Sequence, residues 1–247
     1  MLKFGMKNSI LPVLALIACI SCATDPSSRY PNMVADMDPF SLGTVIVFTD
    51  QLFSSKLKPQ IAEVVFIPRE NLVSLEYRHE LVTYRQFWNY LGRQNFISGI
   101  NQYKDDFSAR KLDVKARYTR TRSIYGKIKS KLEWETFKFT TTYKSSPTME
   151  LGYRFRPSKG TTPYFTVLQR SAKDESGVME DSKIESMQVS LYFTRAQGDI
   201  LSGLFNQDNL LKAVATYGRG TAEPNAPAAD VYTKESELEA EEEESTY

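Results

Sequence analysis

Period-two alternation of apolar and polar positions dominates this chain. From Thr44 to Thr49, Ala62 to Ile67 and Asn71 to Tyr77 the residues are largely β-branched, aliphatic or aromatic, and Pro59 and Pro68 punctuate the runs, which predicts three strands. The stretch from Thr83 to about Arg110 reads differently. Thr83 followed by Gln86 has the spacing of a capping box, so a helix is expected to start there. At about 100° per residue, Phe87, Trp88 and Leu91 fall on one stripe, and Phe96, Ile100, Tyr103 and Phe107 fall about 130° away. One straight helix cannot bury both stripes against one flat sheet. A break between Gly92 and Asn95, giving a bent helix pair, is therefore predicted; the alternative is a continuous helix with different partners on its two faces.

Strand patterns return after Leu112, at Val114 to Ser123, Tyr125 to Trp134, Thr136 to Tyr143, Met149 to Phe155, Tyr164 to Gln169 and Ile184 to Thr194. In the fourth of these, Met149, Leu151, Tyr153 and Phe155 face one way, and Glu150, Arg154 and Arg156 the other. Short polar connections make consecutive strands antiparallel neighbours, hence a meander. A last helical pattern runs from Asp199 to Tyr217, with Gly218 at the expected C-cap. The predicted fold is α+β: an antiparallel meander sheet, strongly curved or partly closed, packed on the bent helix pair and a C-terminal helix. This order of elements looks like that of helix-grip folds, where a curved sheet wraps a helix around an apolar pocket. A curved sheet with a helical lid, as in periplasmic lipoprotein carriers, is equally compatible. Either analogy concerns fold alone.

The N-terminus carries a different signal. Lys3 and Lys7 precede the apolar run Ile10 to Ala18, which has the length of a signal-peptide core and is too short to span a bilayer. The tetrads Leu16-Ile17-Ala18-Cys19 and Cys19-Ile20-Ser21-Cys22 resemble the end of a bacterial lipoprotein signal, the lipobox, in which the cysteine is lipidated and becomes the mature N-terminus. Cys22 is the preferred acceptor, because the polar Ala23-Thr24-Asp25-Pro26 follows it at once, and Cys19 is the alternative. The resemblance implies a multi-acyl anchor that holds the protein stably on its membrane. The relaxed lipobox and aromatic strands also resemble spirochaete lipoproteins of unassigned function. The expected organisation is a signal peptide over 1–21, a flexible tether over 22–42, one domain over 43–218 and a disordered acidic tail over 219–247.

Cys19 and Cys22 are the only cysteines, so the body has no disulfide, cysteine metal site or cysteine nucleophile. The formal charge of +1 conceals a polarised chain. Setting aside the seven acids of Glu235 to Glu244 and the two signal lysines leaves the body at +6. Much of that charge lies between Arg110 and Lys131, where Arg117, Arg120, Arg122, Lys127, Lys129 and Lys131 are placed by alternation on strand faces that a hairpin near Tyr125-Gly126 would join. Such a surface attracts an anionic lipid or glycan, in a manner weakened by salt. The plainer reading is an outward strand face whose lysines discourage edge pairing.

Enzymatic motifs are scarce. His79 is the only histidine, which excludes HExxH and histidine-pair zinc sites, and it reads best as a strand-end residue. Glu133 and Glu135 share a face opposite Trp134, as paired carboxylates for sugar chemistry would, although such a pair is more often a solvated face alternating with a core tryptophan. Nothing marks a nucleotide, metal or other cofactor, and the four acids between Asp174 and Asp181 suit a soluble loop. The expected function is thus non-enzymatic: a membrane-anchored module of the bacterial envelope, on the outer membrane rather than the inner, facing periplasm or exterior. It would bind an apolar small molecule under the helices or an anionic partner on the basic strands, and not nucleic acid. A structural lipoprotein docking through its acidic tail, or a carboxylate hydrolase, are the alternatives.

Overall fold

Alternation becomes strand from the beginning of the described chain. The structure, a computed structural model, describes residues 32–51, 54–114, 125–136, 141–157, 161–177 and 184–218. β1 (Phe40–Gln51), β2 (Ser54–Ile67), β3 (Leu72–His79) and β4 (Val82–Trp88) form successive antiparallel hairpins, so β1 starts three residues before the expected boundary at Gly43. The chain before β1 is also held: Arg69 bridges Asp36 and Asp38 at 2.6 and 2.8 Å.

The region assigned to a bent helix pair is a strand followed by one helix. Tyr84, Gln86 and Trp88 are buried in strict alternation, and β4 is hydrogen-bonded on both edges, to β3 and to β6 (Lys131–Thr136). Two ladders outweigh the capping spacing of Thr83 and Gln86. The helix α1 (Tyr90–Ser108) starts at Asn89, whose Oδ1 accepts from the Gly92 N–H at 2.8 Å. Once Phe87 and Trp88 belong to a strand, one stripe remains, built on Phe96, Ile100, Tyr103 and Phe107, and α1 runs unbroken through Gly92 to Asn95. Leu91, the last member of the other stripe, is exposed.

The predicted strand Tyr125 to Trp134 divides at Ser130 into β5 (Gly126–Lys129) and β6. Opposite them lie β8 (Thr148–Pro157) and β7 (Thr142–Ser145). Lys129 stands opposite Thr148, Leu132 stands opposite Ser145, and between them the Ser130 N–H donates to Pro147 O at 3.3 Å, so the two chain segments form one bent ribbon. Its β6 half pairs with β4 and its β8 half with β9 (Thr161–Gln169). Since β9 leads through β10 (Val189–Phe193) to β1, and onward through β2 and β3 to β4, the ten strands curl back upon themselves. The expected curved antiparallel meander is present, and the ribbon at Ser130 links its two ends. Predicted strand residues 115–123 lie outside the described residues, and Ile184 to Gln188 precede β10 rather than belong to it.

The C-terminal helix is two: α2 (Arg195–Phe205) and α3 (Gln207–Tyr217). Thr194 and Gln197 form a capping box that starts α2 earlier than expected. Extended Asn206 ends α2 and caps α3 by accepting from the N–H groups of Asp208 and Asn209. Helices and inner sheet face meet in an aromatic cluster around Phe96, whose ring lies 5.2–5.8 Å from those of Trp88, Phe165, Phe193 and Phe205. Around Phe96 the space between α1, α2 and the sheet is therefore filled with aromatic side chains.

Candidate functional site

Strand register sorts the charged residues of the outer face. Glu76, Arg85, Glu133 and Lys144 stand opposite one another across β3, β4, β6 and β7. Arg85 contacts Glu76 at 2.6 Å and Glu133 at 3.4 Å, and Lys144 reaches Glu133 at 3.3 Å, so signs alternate along a cross-strand ladder. Glu133 and Glu135 do share the face opposite buried Trp134, as alternation indicates. Glu133 is engaged in the ladder, however, and Glu135 accepts from Thr142 Oγ1 at 2.6 Å. His79 is buried at the end of β3. Burial pushes its ring below the usual histidine range, with Lys58 acting in the same sense and Glu80 opposing.

The described part of the acidic loop is anchored through Asp174, and Glu180 and Asp181 lie outside the described residues. Asp174 accepts from the Ser176 and Lys144 N–H groups and from Ser176 Oγ. Burial works against its charge, but these hydrogen bonds outweigh it and hold the carboxyl below its usual range. Among the described residues, no group of three or more His, Cys, Asp or Glu is placed to hold a metal ion.

Of the basic residues that alternation groups into a patch, Arg117, Arg120 and Arg122 lie outside the described residues, as do Cys19 and Cys22. Lys127, Lys129 and Lys131 all point outward, separated by buried Ile128 and Ser130. Lys127 lines a pocket. That pocket, of about 550 Å³, lies on the outer face where β5, β8 and the end of β9 meet. At its centre is Glu150, whose side chain is 3% exposed. Lys127 reaches Glu150 Oε1 at 3.3 Å, and Arg170 donates to Glu150 Oε2 at 2.8 Å and to Gln188 Oε1 at 3.3 Å. A carboxylate so buried needs compensation. Here it has two cations whose own side chains remain about one third exposed, 35% for Lys127 and 32% for Arg170. The arrangement fixes both positive groups while leaving them open to the pocket.

Sequence reasoning missed Glu150 as a site residue, and missed Arg170 and Gln188 altogether. The outward position of Glu150 is legible from alternation. Its meeting with Arg170 depends on the β8–β9 register, in which the Arg170 N–H donates to Thr148 O at 3.1 Å.

A family model described as an uncharacterised Treponema protein matches residues 39–212. The chain belongs to that family. No curated protein and no solved structure matches it. Treponema is a spirochaete, so the resemblance to spirochaete proteins holds at that level. The matched residues run from just before β1 into α3, and take in the curled sheet, all of α1 and α2, and the pocket. Among the described residues no helix is long and apolar enough to cross a membrane.

Proposed function

We propose that this Treponema family member is a lipid-anchored protein of the bacterial envelope, most simply of the outer membrane, whose curled sheet binds an anionic ligand without chemical conversion. The observation that carries the reading is the pair of half-open cations, Lys127 and Arg170, fixed over a buried carboxylate at a pocket. The aromatic packing around Phe96 speaks for the anionic ligand over an apolar one beneath the helices. The engagement of Glu133 in a charge ladder speaks against its use as a catalytic acid.

The anchor has its own test. Intact mass of the membrane-extracted protein is expected to show a mature chain beginning at Cys22 or Cys19 and carrying a diacylglyceryl group. An unlipidated N-terminus removes the anchor from the reading and leaves the pocket.

Binding is tested with inorganic phosphate, glucose 6-phosphate and phosphatidylglycerol vesicles. At least one is expected to bind the wild-type chain and to lose about tenfold or more in the Lys127→Ser, Arg170→Ser variant. Affinity is also expected to fall as ionic strength rises from about 0.01 M to about 0.15 M, over which the Debye length shrinks from about 30 to about 8 Å. If none of the three binds, or if the double variant binds as well as the wild type, the anionic reading is wrong.

A further inference from the structure

A simple anion site needs positive charge and little else. The pocket over β5 and β8 holds more, and its contents narrow the ligand class, provided that Lys127 and Arg170 do bind an anion. Its lining includes the hydroxyls of Ser146, Thr148 and Ser171 and the amide of Gln188, and among the described residues no aromatic side chain. Inorganic phosphate or a carboxylate fills only a small part of about 550 Å³, a volume within the range of small-molecule sites. Among the lining residues two cations stand against one carboxylate, a balance that suits a ligand with one anionic group. The Arg170 guanidinium is held on two sides by Glu150 and Gln188, so its fork is oriented before any ligand arrives. A fixed fork matches the paired oxygens of phosphate or carboxylate better than a lone ammonium does.

We propose that this pocket binds a small hydroxylated anion, namely a sugar or polyol bearing one phosphate or carboxylate group; the assignment rests on the anionic function proposed for the sheet. The anionic group sits against Arg170 and Lys127. The ligand hydroxyls meet Thr148, Ser171 and Gln188, which both donate and accept. Glu150 acts as a positioning residue, setting the two cations without needing to touch the ligand. The same chemistry occurs in soluble sugar phosphates and sugar acids and in the glycerol phosphate headgroup of phosphatidylglycerol.

Calorimetric titration of the full mature protein separates these possibilities, with glucose 6-phosphate, glucuronate, inorganic phosphate and glucose as probes and phosphatidylglycerol vesicles as a parallel arm. Glucose 6-phosphate or glucuronate is expected to bind about tenfold or more tightly than inorganic phosphate, and glucose not measurably. Gln188→Leu, at an exposed position where the fold is not at risk, is expected to remove most of that preference, while inorganic phosphate loses only the smaller, shared part that comes from freeing one side of the Arg170 fork. Arg170→Lys is expected to weaken all anions about tenfold. Lys129→Ser with Lys131→Ser, outside the pocket, leaves each affinity as it was. Vesicles that bind and are displaced by glucose 6-phosphate assign the ligand to a lipid headgroup, and sugar anions binding alone assign it to a soluble molecule. Equal affinity for inorganic phosphate and the sugar anions overturns the polyol inference while sparing the anionic reading. Absence of binding by every anion overturns both.

Discussion

Replacing Arg93 with Met lowers the stability of the domain by about 3–5 kcal/mol, because several buried acceptors lose their donor at about 1–3 kcal/mol each. Arg93 lies on α1 with no exposed surface, and every N–H of its guanidinium is used. Nε donates to Phe205 O at 3.2 Å. One terminal nitrogen donates to Asn71 O and Trp88 O at 2.8 and 2.9 Å, and the other to Asn71 Oδ1 and Gln207 Oε1 at 3.0 and 2.6 Å. These acceptors belong to the β2–β3 turn, the end of β4, the end of α2 and the start of α3, so one side chain ties four junctions to α1. All of them are neutral. Burial therefore pushes the guanidinium down to about 10, against a small opposing effect of Tyr90, and the group remains charged at neutral pH. A charge without a carboxylate partner is costly to bury. It persists because hydrogen bonds to a charged donor contribute about 1.5–3 kcal/mol each. Met retains much of the stem but leaves several buried carbonyls without a donor. Urea unfolding is the check: the midpoint should fall sharply with little change in slope. A loss below about 1 kcal/mol would mean that the acceptors re-pair at little cost, and that the four junctions do not depend on Arg93.

The reason Arg93 could not be read from the chain is the reason the pocket could not. An arginine among Gly92, Gln94 and Asn95 looks like the polar side of a helix, and only the convergence of distant turns makes it interior. Glu150 likewise has its outward position written in the alternation of Met149, Leu151 and Tyr153, but its burial comes with Lys127 on β5 and Arg170 just past the end of β9. Local pattern did carry much of the fold. The inward residues of β8 and the outward lysines of β5 and β6 fall where period-two alternation puts them. It failed at Val82 to Trp88, where seven residues satisfy both a strand and the first turns of a helix, and the choice was made by ladders on both sides. It also failed at Ser130. There an unbroken alternating run changes partners, because Ser130 Oγ turns to Phe87 O while the strand passes from one part of the sheet to another. The curl of the sheet thus depends on long-range pairing that no local period encodes.

Gly198 is where the helices press hardest on one another, and Gly198→Ala should destabilise the protein despite placing a better helix former in α2. A Cβ built at Gly198 would lie 2.4 Å from Ile100 Cδ1 and 2.6 Å from Ile100 Cγ1, well inside contact distance. Ile100 cannot swing aside freely. It is fully buried on the same stripe of α1 as Phe96 and Tyr103, within a close-packed core. Overpacking of this kind costs about 1–3 kcal/mol. The gain in helix propensity on replacing an interior Gly by Ala is about 1 kcal/mol, so the clash is expected to prevail. Gly198→Val should cost more still, since its branches extend further into the same volume. The pair can be isolated by a double-mutant cycle. Ile100→Ala alone opens a cavity and is expected to cost about 2–5 kcal/mol. In that background the new methyl at position 198 enters vacated space. Gly198→Ala should then be neutral or stabilising, with a coupling of about 1–3 kcal/mol. Additive effects would show that α1 and α2 can separate without penalty, and the close crossing of the two helices would lose its claim to set how they seat on the sheet.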